Sequence, residues 1–206
     1  MNRIKSFLLA LLCLSFAALT GCTRVIPHVQ ESAPAIELPE NPTFRNTVWG
    51  MDREIVEQIE KGEIYDEYDN MITLYNTVVA DYSARPFYCF DGDNKLWRAG
   101  YTFDAAKYYS SKNLCISKYE AIVRALTEKY GEYEDKTWWG SDLYKDKPNK
   151  WDTALTIGDV EFVALWQTPD TEIWVKLYYD DGIYLILYYD ALTYTKVEAP
   201  INTDGL

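Results

Sequence analysis

The side chains that could do chemistry in this 206-residue chain are carboxylates, hydroxyls and aromatic rings. The single histidine, His28, precedes the region able to fold, so neither a Ser–His nor a Cys–His catalytic pair can be assembled there. Zinc lacks a ligand set, because there is no histidine cluster and no Cys-x-x-Cys. The ten glycines fall singly, so no phosphate-cradling loop is formed. Glu60, Glu63, Asp66, Glu67 and Asp69 make an acidic stretch broken by Tyr65 and Tyr68, which reads as a solvated face. Asp91-Gly92-Asp93-Asn94 begins like a calcium loop but lacks the later ligands, and reads instead as a hairpin turn. A pair of carboxylates across a cleft would suit glycoside hydrolysis, yet the spacing nominates no pair. The expectation is a protein with no catalytic residues, no metal and no cofactor.

The aromatics carry more information. Eighteen tyrosines and seven tryptophans exceed what one core of this size needs. In Glu172–Tyr179 a period of two puts Ile173, Val175, Leu177 and Tyr179 on one face, and Trp174, Lys176 and Tyr178 on the other. Ile183–Tyr189 continues the pattern. If helices cover the first face, the second presents Trp174, Tyr178, Tyr184, Ile186 and Tyr188 together. An aromatic patch with polar neighbours suits docking to another protein. The same rings in a row along an open groove would suit a carbohydrate-binding module. Coverage of the patch by the other half of the domain, or by the Trp138–Trp151 loop, is the competing outcome.

The address comes from the first residues. Arg3 and Lys5 precede the apolar run Phe7–Leu19, too short to span a bilayer but long enough for an export signal. Leu19-Thr20-Gly21-Cys22 follows, and this resembles the lipobox of bacterial lipoproteins at Leu19, Gly21 and Cys22. The resemblance implies cleavage between Gly21 and Cys22 and a covalent lipid on Cys22, anchoring the protein in the cell envelope outside the cytoplasm. Thr23, rather than Asp, follows the cysteine, which points to the outer membrane in a diderm cell. Pro27, Pro34, Pro39 and Pro42 make residues 22–43 an extended tether. Removing residues 1–21 takes away two basic residues and no acidic one, leaving 18 Lys and Arg against 32 Asp and Glu. That balance, −14, repels phosphates and argues against nucleic-acid partners. Cys89 and Cys115 are then the only cysteines in the body of the protein, either paired in a disulfide or kept as two small apolar thiols.

Residues 44–206 are one domain's worth of chain. Asp52, the Ile55/Val56/Ile59 stripe and Gly62 predict a short first helix. Ser117 and Glu120 form a capping box, and Tyr119, Ile122, Val123, Leu126 and Tyr130 predict a second helix closed by Gly131. Strands are expected at 71–80, 85–90, 95–103, 154–157, 160–167, 172–179 and 183–191. The fold class is therefore α+β: two helices packed on antiparallel sheet or sheets, in the order helix–strands–helix–strands, with a tandem duplication possible. Trp49-Gly50-Met51 followed by a capping residue and Val56 resembles the helix start of small exported domains, the BamE-like lipoproteins and the β-lactamase inhibitor proteins. Leu126-Thr127-x-Lys129-Tyr130-Gly131 is similar to the second-helix close of bacterial lipoproteins of that layout. This chain places Asp52 where Thr or Ser is usual. The resemblance implies a fold and a binding habit, and carries over no functional residue. Mass spectrometry of the native product is expected to find the leader removed and Cys22 acylated; an unmodified thiol there would refute the anchor.

Overall fold

A computed structural model of the chain describes residues 37–197 apart from 69 and 105–111. The leader, Gly21, Cys22 and the tether up to residue 36 lie outside the described residues. The helices are α1 (Arg53–Glu60), α2 (Lys112–Tyr130) and α3 (Trp151–Thr156). The strands are β1 (Ile64–Tyr68), β2 (Met71–Leu74), β3 (Thr77–Val79), β4 (Tyr82–Phe90), β5 (Leu96–Phe103), β6 (Glu134–Asp135), β7 (Trp138–Trp139), β8 (Val160–Gln167), β9 (Thr171–Tyr179) and β10 (Ile183–Ala191).

The expected two helices on a sheet are overturned. Among the described residues the molecule is mainly one antiparallel sheet of ten strands with three short helices, 23% helical and 42% strand. The main path across it runs β1-β2-β4-β5-β10-β9-β8-β6, with β3 on β4 and β7 on β8. Two meanders that sequence order keeps apart are joined where β5 meets β10, from Leu185 opposite Phe103 to Asp190 opposite Arg98. Local hydrophobic pattern does not encode such a junction. Three further departures are local. Residues 154–157 were expected as a strand, but 151–156 form α3, because Ala154 and Leu155 face the core while the Thr156 hydroxyl bonds back to the Asp152 and Thr153 carbonyls. The acidic segment 64–68 is a strand, β1, with every side chain exposed at the sheet edge. Helix α2 begins at Lys112, so Ser117 and Glu120 sit inside it and cap nothing.

All three helices feed one core on one face of the sheet. Val56 of α1, Cys115, Tyr119, Ile122, Val123 and Leu126 of α2, and Ala154 and Leu155 of α3 join Tyr88, Phe90, Val175, Leu177, Leu185 and Leu187 in a single cluster. Each fully buried large aliphatic side chain contributes about 1.5–3 kcal/mol of transfer free energy. Phe44 closes the near end, its ring 5.6, 5.0 and 5.3 Å from those of Tyr88, Tyr101 and Tyr189. Beneath it Glu60 is not solvated as its neighbours are: its side chain is 1% exposed, 2.8 Å from the Arg45 guanidinium. A buried carboxylate needs such a partner, since an unpaired one costs several kcal/mol.

Asp91 organises the β4–β5 turn and ties down the chain's last described residues. One carboxylate oxygen accepts the N–H groups of Asp93 and Lys95 at 3.0 and 2.9 Å. The other accepts the Tyr194 hydroxyl and the Val197 N–H, both at 2.8 Å. Burial alone would raise its pKa, but these four donors outweigh burial and hold it below the ordinary carboxylate value. This is a structural pin in place of a calcium loop. No helix among the described residues is long and apolar enough to cross a membrane.

At the junction, Gly100 of β5 lies opposite Tyr188 of β10. A Cβ there would come within 2.8 Å of both the Phe87 ring and the Tyr188 Cα. Gly100→Ala is therefore expected to destabilise the fold by about 1–3 kcal/mol, as overpacked sites do; an unchanged midpoint in denaturant unfolding would show that β5 and β10 approach less closely.

Candidate functional site: the open sheet face

The register of β9 and β10 decides what the second face carries. Tyr184 lies opposite Tyr178, Ile186 opposite Lys176 and Tyr188 opposite Trp174. Since Ile173, Val175, Leu177, Leu185 and Leu187 belong to the helix-side core, alternation turns Trp174, Lys176, Tyr178, Tyr184, Ile186 and Tyr188 to the other face. No helix of the described residues packs there. The Trp138–Trp151 loop does not cover it either: Trp139 and Trp151 lie 6.0 and 5.4 Å from the ring of Phe162, on the helix side.

The rings occur as cross-strand pairs. Trp174 and Tyr188 stack at 6.2 Å with an interplanar angle of 12°. Tyr178 and Tyr184 stack at 5.5 Å and 20°. Stacking leaves most of these side chains half-buried by one another, and only Tyr184 is exposed. Charged groups complete the array. The Arg98 guanidinium sits 4.6 Å from the Trp97 ring and 4.7 Å from that of Tyr188. It also holds Asp190 in a two-point contact at 2.5 and 2.7 Å. The Lys196 ammonium lies 4.7 Å from Trp97, and that of Lys176 lies 5.5 Å from Trp174. The result is a column, Lys196–Trp97–Arg98–Tyr188–Trp174–Lys176, crossing β5, β10 and β9. The Trp174 indole N–H donates to Glu172 at 3.3 Å, and the Tyr184 hydroxyl donates to Asp181 at 2.8 Å.

Beside the column lies a groove of about 400 Å³, with Phe87, Ile186 and Tyr188 as apolar lining and Arg98, Lys176 and Glu161 as its charges. Burial pushes the Tyr188 hydroxyl up to about 12, with Arg98 opposing and nearby acids adding to the shift. The Tyr178 hydroxyl is raised by burial and by Asp180 and Glu161. The Tyr184 hydroxyl is raised chiefly by its hydrogen bond to Asp181. Cys89 also lines this groove, its thiol pushed up to about 11 by burial against the opposing pull of Arg98.

No protein family, curated protein or solved structure matches this chain.

The patch expected from β9 and β10 is thus assembled on one face, and sequence reasoning missed the half contributed by the first meander. Phe87 and Cys89 of β4 follow a period of two, a usable signal, whereas Trp97 and Arg98 of β5 are consecutive at a β-bulge, and nothing local says that β5 lies next to β10. The disulfide left open by the sequence is not formed: Cys89 and Cys115 are both free. Cys115 lies in the helix-side core and Cys89 in the groove on the opposite face, so the sheet stands between them. For a carboxylate-based hydrolase, the cleft of about 660 Å³ by α1 is lined by Asp52, Glu54, Glu57, Glu67 and Asp93. There Asp52 is paired with Lys95 at 2.6 Å, and Arg53 binds both Glu57 and Glu67. Among the described residues no three Asp, Glu, Cys or His side chains group as a metal site would require.

A thiol with so raised a pKa is protonated at neutral pH and unreactive. Iodoacetamide labelling of Cys89 is expected to be negligible at pH 8 and to climb only as pH approaches 11, since thiolate forms only above the raised value. Peptide-resolved labelling at the rate of an exposed thiol would contradict its burial.

Proposed function

We propose that this protein is a membrane-anchored extracytoplasmic lipoprotein that is not an enzyme and binds another envelope protein through its open sheet face. The lipobox-like Leu19–Cys22 segment supports the anchor, and the uncovered aromatic column supports the binding surface. The observation that carries the reading is the way the rings stand. Trp174, Tyr188, Tyr178 and Tyr184 turn their flat faces to one another, at interplanar angles of 12° and 20°, and so present edges outward. A sugar-binding platform offers ring faces; stacked pairs offer ring edges, hydroxyls and indole N–H groups. Edges with a polar handle suit a protein surface, where aromatic residues and arginine are the usual anchors. The flanking cations Arg98 and Lys176 are already matched by Asp190 and Glu161, so the face attracts no polyanion strongly. That fits a partner other than nucleic acid, with the lipid on Cys22 supplying the membrane contact.

The test is chemical crosslinking and recovery of the lipidated full-length protein from its own envelope, wild type beside a Trp174→Ala, Tyr178→Ala double variant. Partner recovery is expected to fall at least about tenfold in the variant, as loss of central aromatic anchors implies. Equal recovery by both, or saturable glycan binding that Trp174→Ala abolishes, would overturn the proposal.

A further inference from the structure

On the helix side of the sheet, away from the open face, a second cavity of about 380 Å³ lies between α2, the β6–β7 segment and the start of α3. Its size falls in the range of small-molecule sites. Aromatic rings form its walls at steep mutual angles. Phe162 is the floor, 6% exposed. Trp139 stands at 83° to it, Trp151 at 57° and Tyr119 at 39°, with centroids between 5.4 and 6.0 Å. Trp139 and Trp151 meet at 53° and 6.0 Å. The arrangement is a box corner, unlike the parallel stacks of the open face.

The polar groups of this cavity are mostly acidic. Glu120 and Asp146 make no hydrogen bond or ion pair among the described residues, and Asp135 receives only the Thr137 N–H on one oxygen, at 2.8 Å. Lys145 is the opposing cation, and it also gives its backbone carbonyl to the Trp151 indole N–H at 3.1 Å. Most telling is Tyr119. Its residue is 8% exposed, and its hydroxyl makes no hydrogen bond among the described residues. Burial raises its pKa first, then Tyr133, Asp135 and Glu120, all of which line the cavity, so the hydroxyl end faces inward. The hydroxyl oxygen itself keeps contact with solvent at the wall of the cavity, where a polar atom entering from outside can take its hydrogen bond.

We infer that this cavity binds a small organic ammonium, a cation with apolar substituents and a neighbouring polar atom. Ring faces at steep angles surround a compact cation, and their quadrupoles attract it. The carboxylates outnumber Lys145 and favour positive charge. Tyr119 supplies the hydrogen bond to the polar atom. A bare metal ion would find carboxylates too scattered to ligate it together, since no three Asp, Glu, Cys or His side chains among the described residues group as ligands, and a pyranose would find no flat platform.

The experiment is isothermal titration of the full chain with choline, tetramethylammonium, methyl glucoside and 3,3-dimethylbutan-1-ol, the last being a neutral copy of choline's shape. Choline is expected to bind saturably and about tenfold tighter than its neutral copy. Glu120→Gln with Asp135→Asn, both at exposed positions, is expected to remove most of that preference while circular dichroism stays unchanged. Tyr119→Phe should weaken choline and leave tetramethylammonium unaffected. Trp174→Ala should alter none of these, which separates this site from the open face. Equal binding of the neutral copy, preference for the glucoside, or no saturable binding of any cation would overturn the inference.

Discussion

The pairing of β5 with β10 is the constraint on which the rest of the molecule depends. It joins segments far apart in the chain, and its close approach depends on one position without a side chain. Gly100 allows the strands to approach with the Phe87 ring lying over the gap and Tyr188 directly opposite. Once that junction forms, two meanders become one sheet, and a single set of helices suffices for the core. The other face is left without helical cover as a direct consequence. At the end of the same junction, Arg98 and Asp190 meet across a sequence separation of 92, so a charge pair reinforces what the backbone ladder begins.

How much of this was legible from the residues varied by element. The two faces of β9 and β10 could be assigned because both strands alternate strictly, and alternation has one structural meaning. The α2 stripe was equally plain, and Tyr119, Ile122, Val123 and Leu126 are buried as its spacing implies. Residues 154–157 were ambiguous, since a run of four mainly apolar residues fits either a strand or a buried turn of helix. β1 was hidden by its charge: nothing in Ile64–Tyr68 is buried, so backbone pairing with β2 and surface contacts such as Tyr65 against Tyr75 make it a strand. The capping box at Ser117 misled because the helix runs through it. Most important, the identity of β10's neighbour is a long-range fact, and with it went the half of the open face built by β4 and β5.

Polar groups inside the fold act as pins at places where apolar packing alone would leave freedom. Arg45 and Glu60 fasten the segment before α1 over the edge of the core, under Phe44. Asp91 accepts two N–H groups inside the β4–β5 turn and fastens that turn to residues 194–197 by two more contacts. Each joins a stretch of irregular chain to the sheet. In both, hydrophobic alternation builds the sheet side and the polar contact selects one position for the connecting chain.

The column from Lys196 to Lys176 has a consequence for association. Its inner side chains, Trp97, Arg98, Tyr188 and Trp174, each pack between two neighbours, ring against ring or ring against cation, and this restricts their rotamers before anything arrives. A flexible surface of lysines and tyrosines loses about 0.5–1.5 kcal/mol for every side chain that must be immobilised on contact. Here that conformational entropy is already lost during folding. Whatever docks on this face therefore has less of that entropy left to remove, and its complementarity translates more fully into affinity.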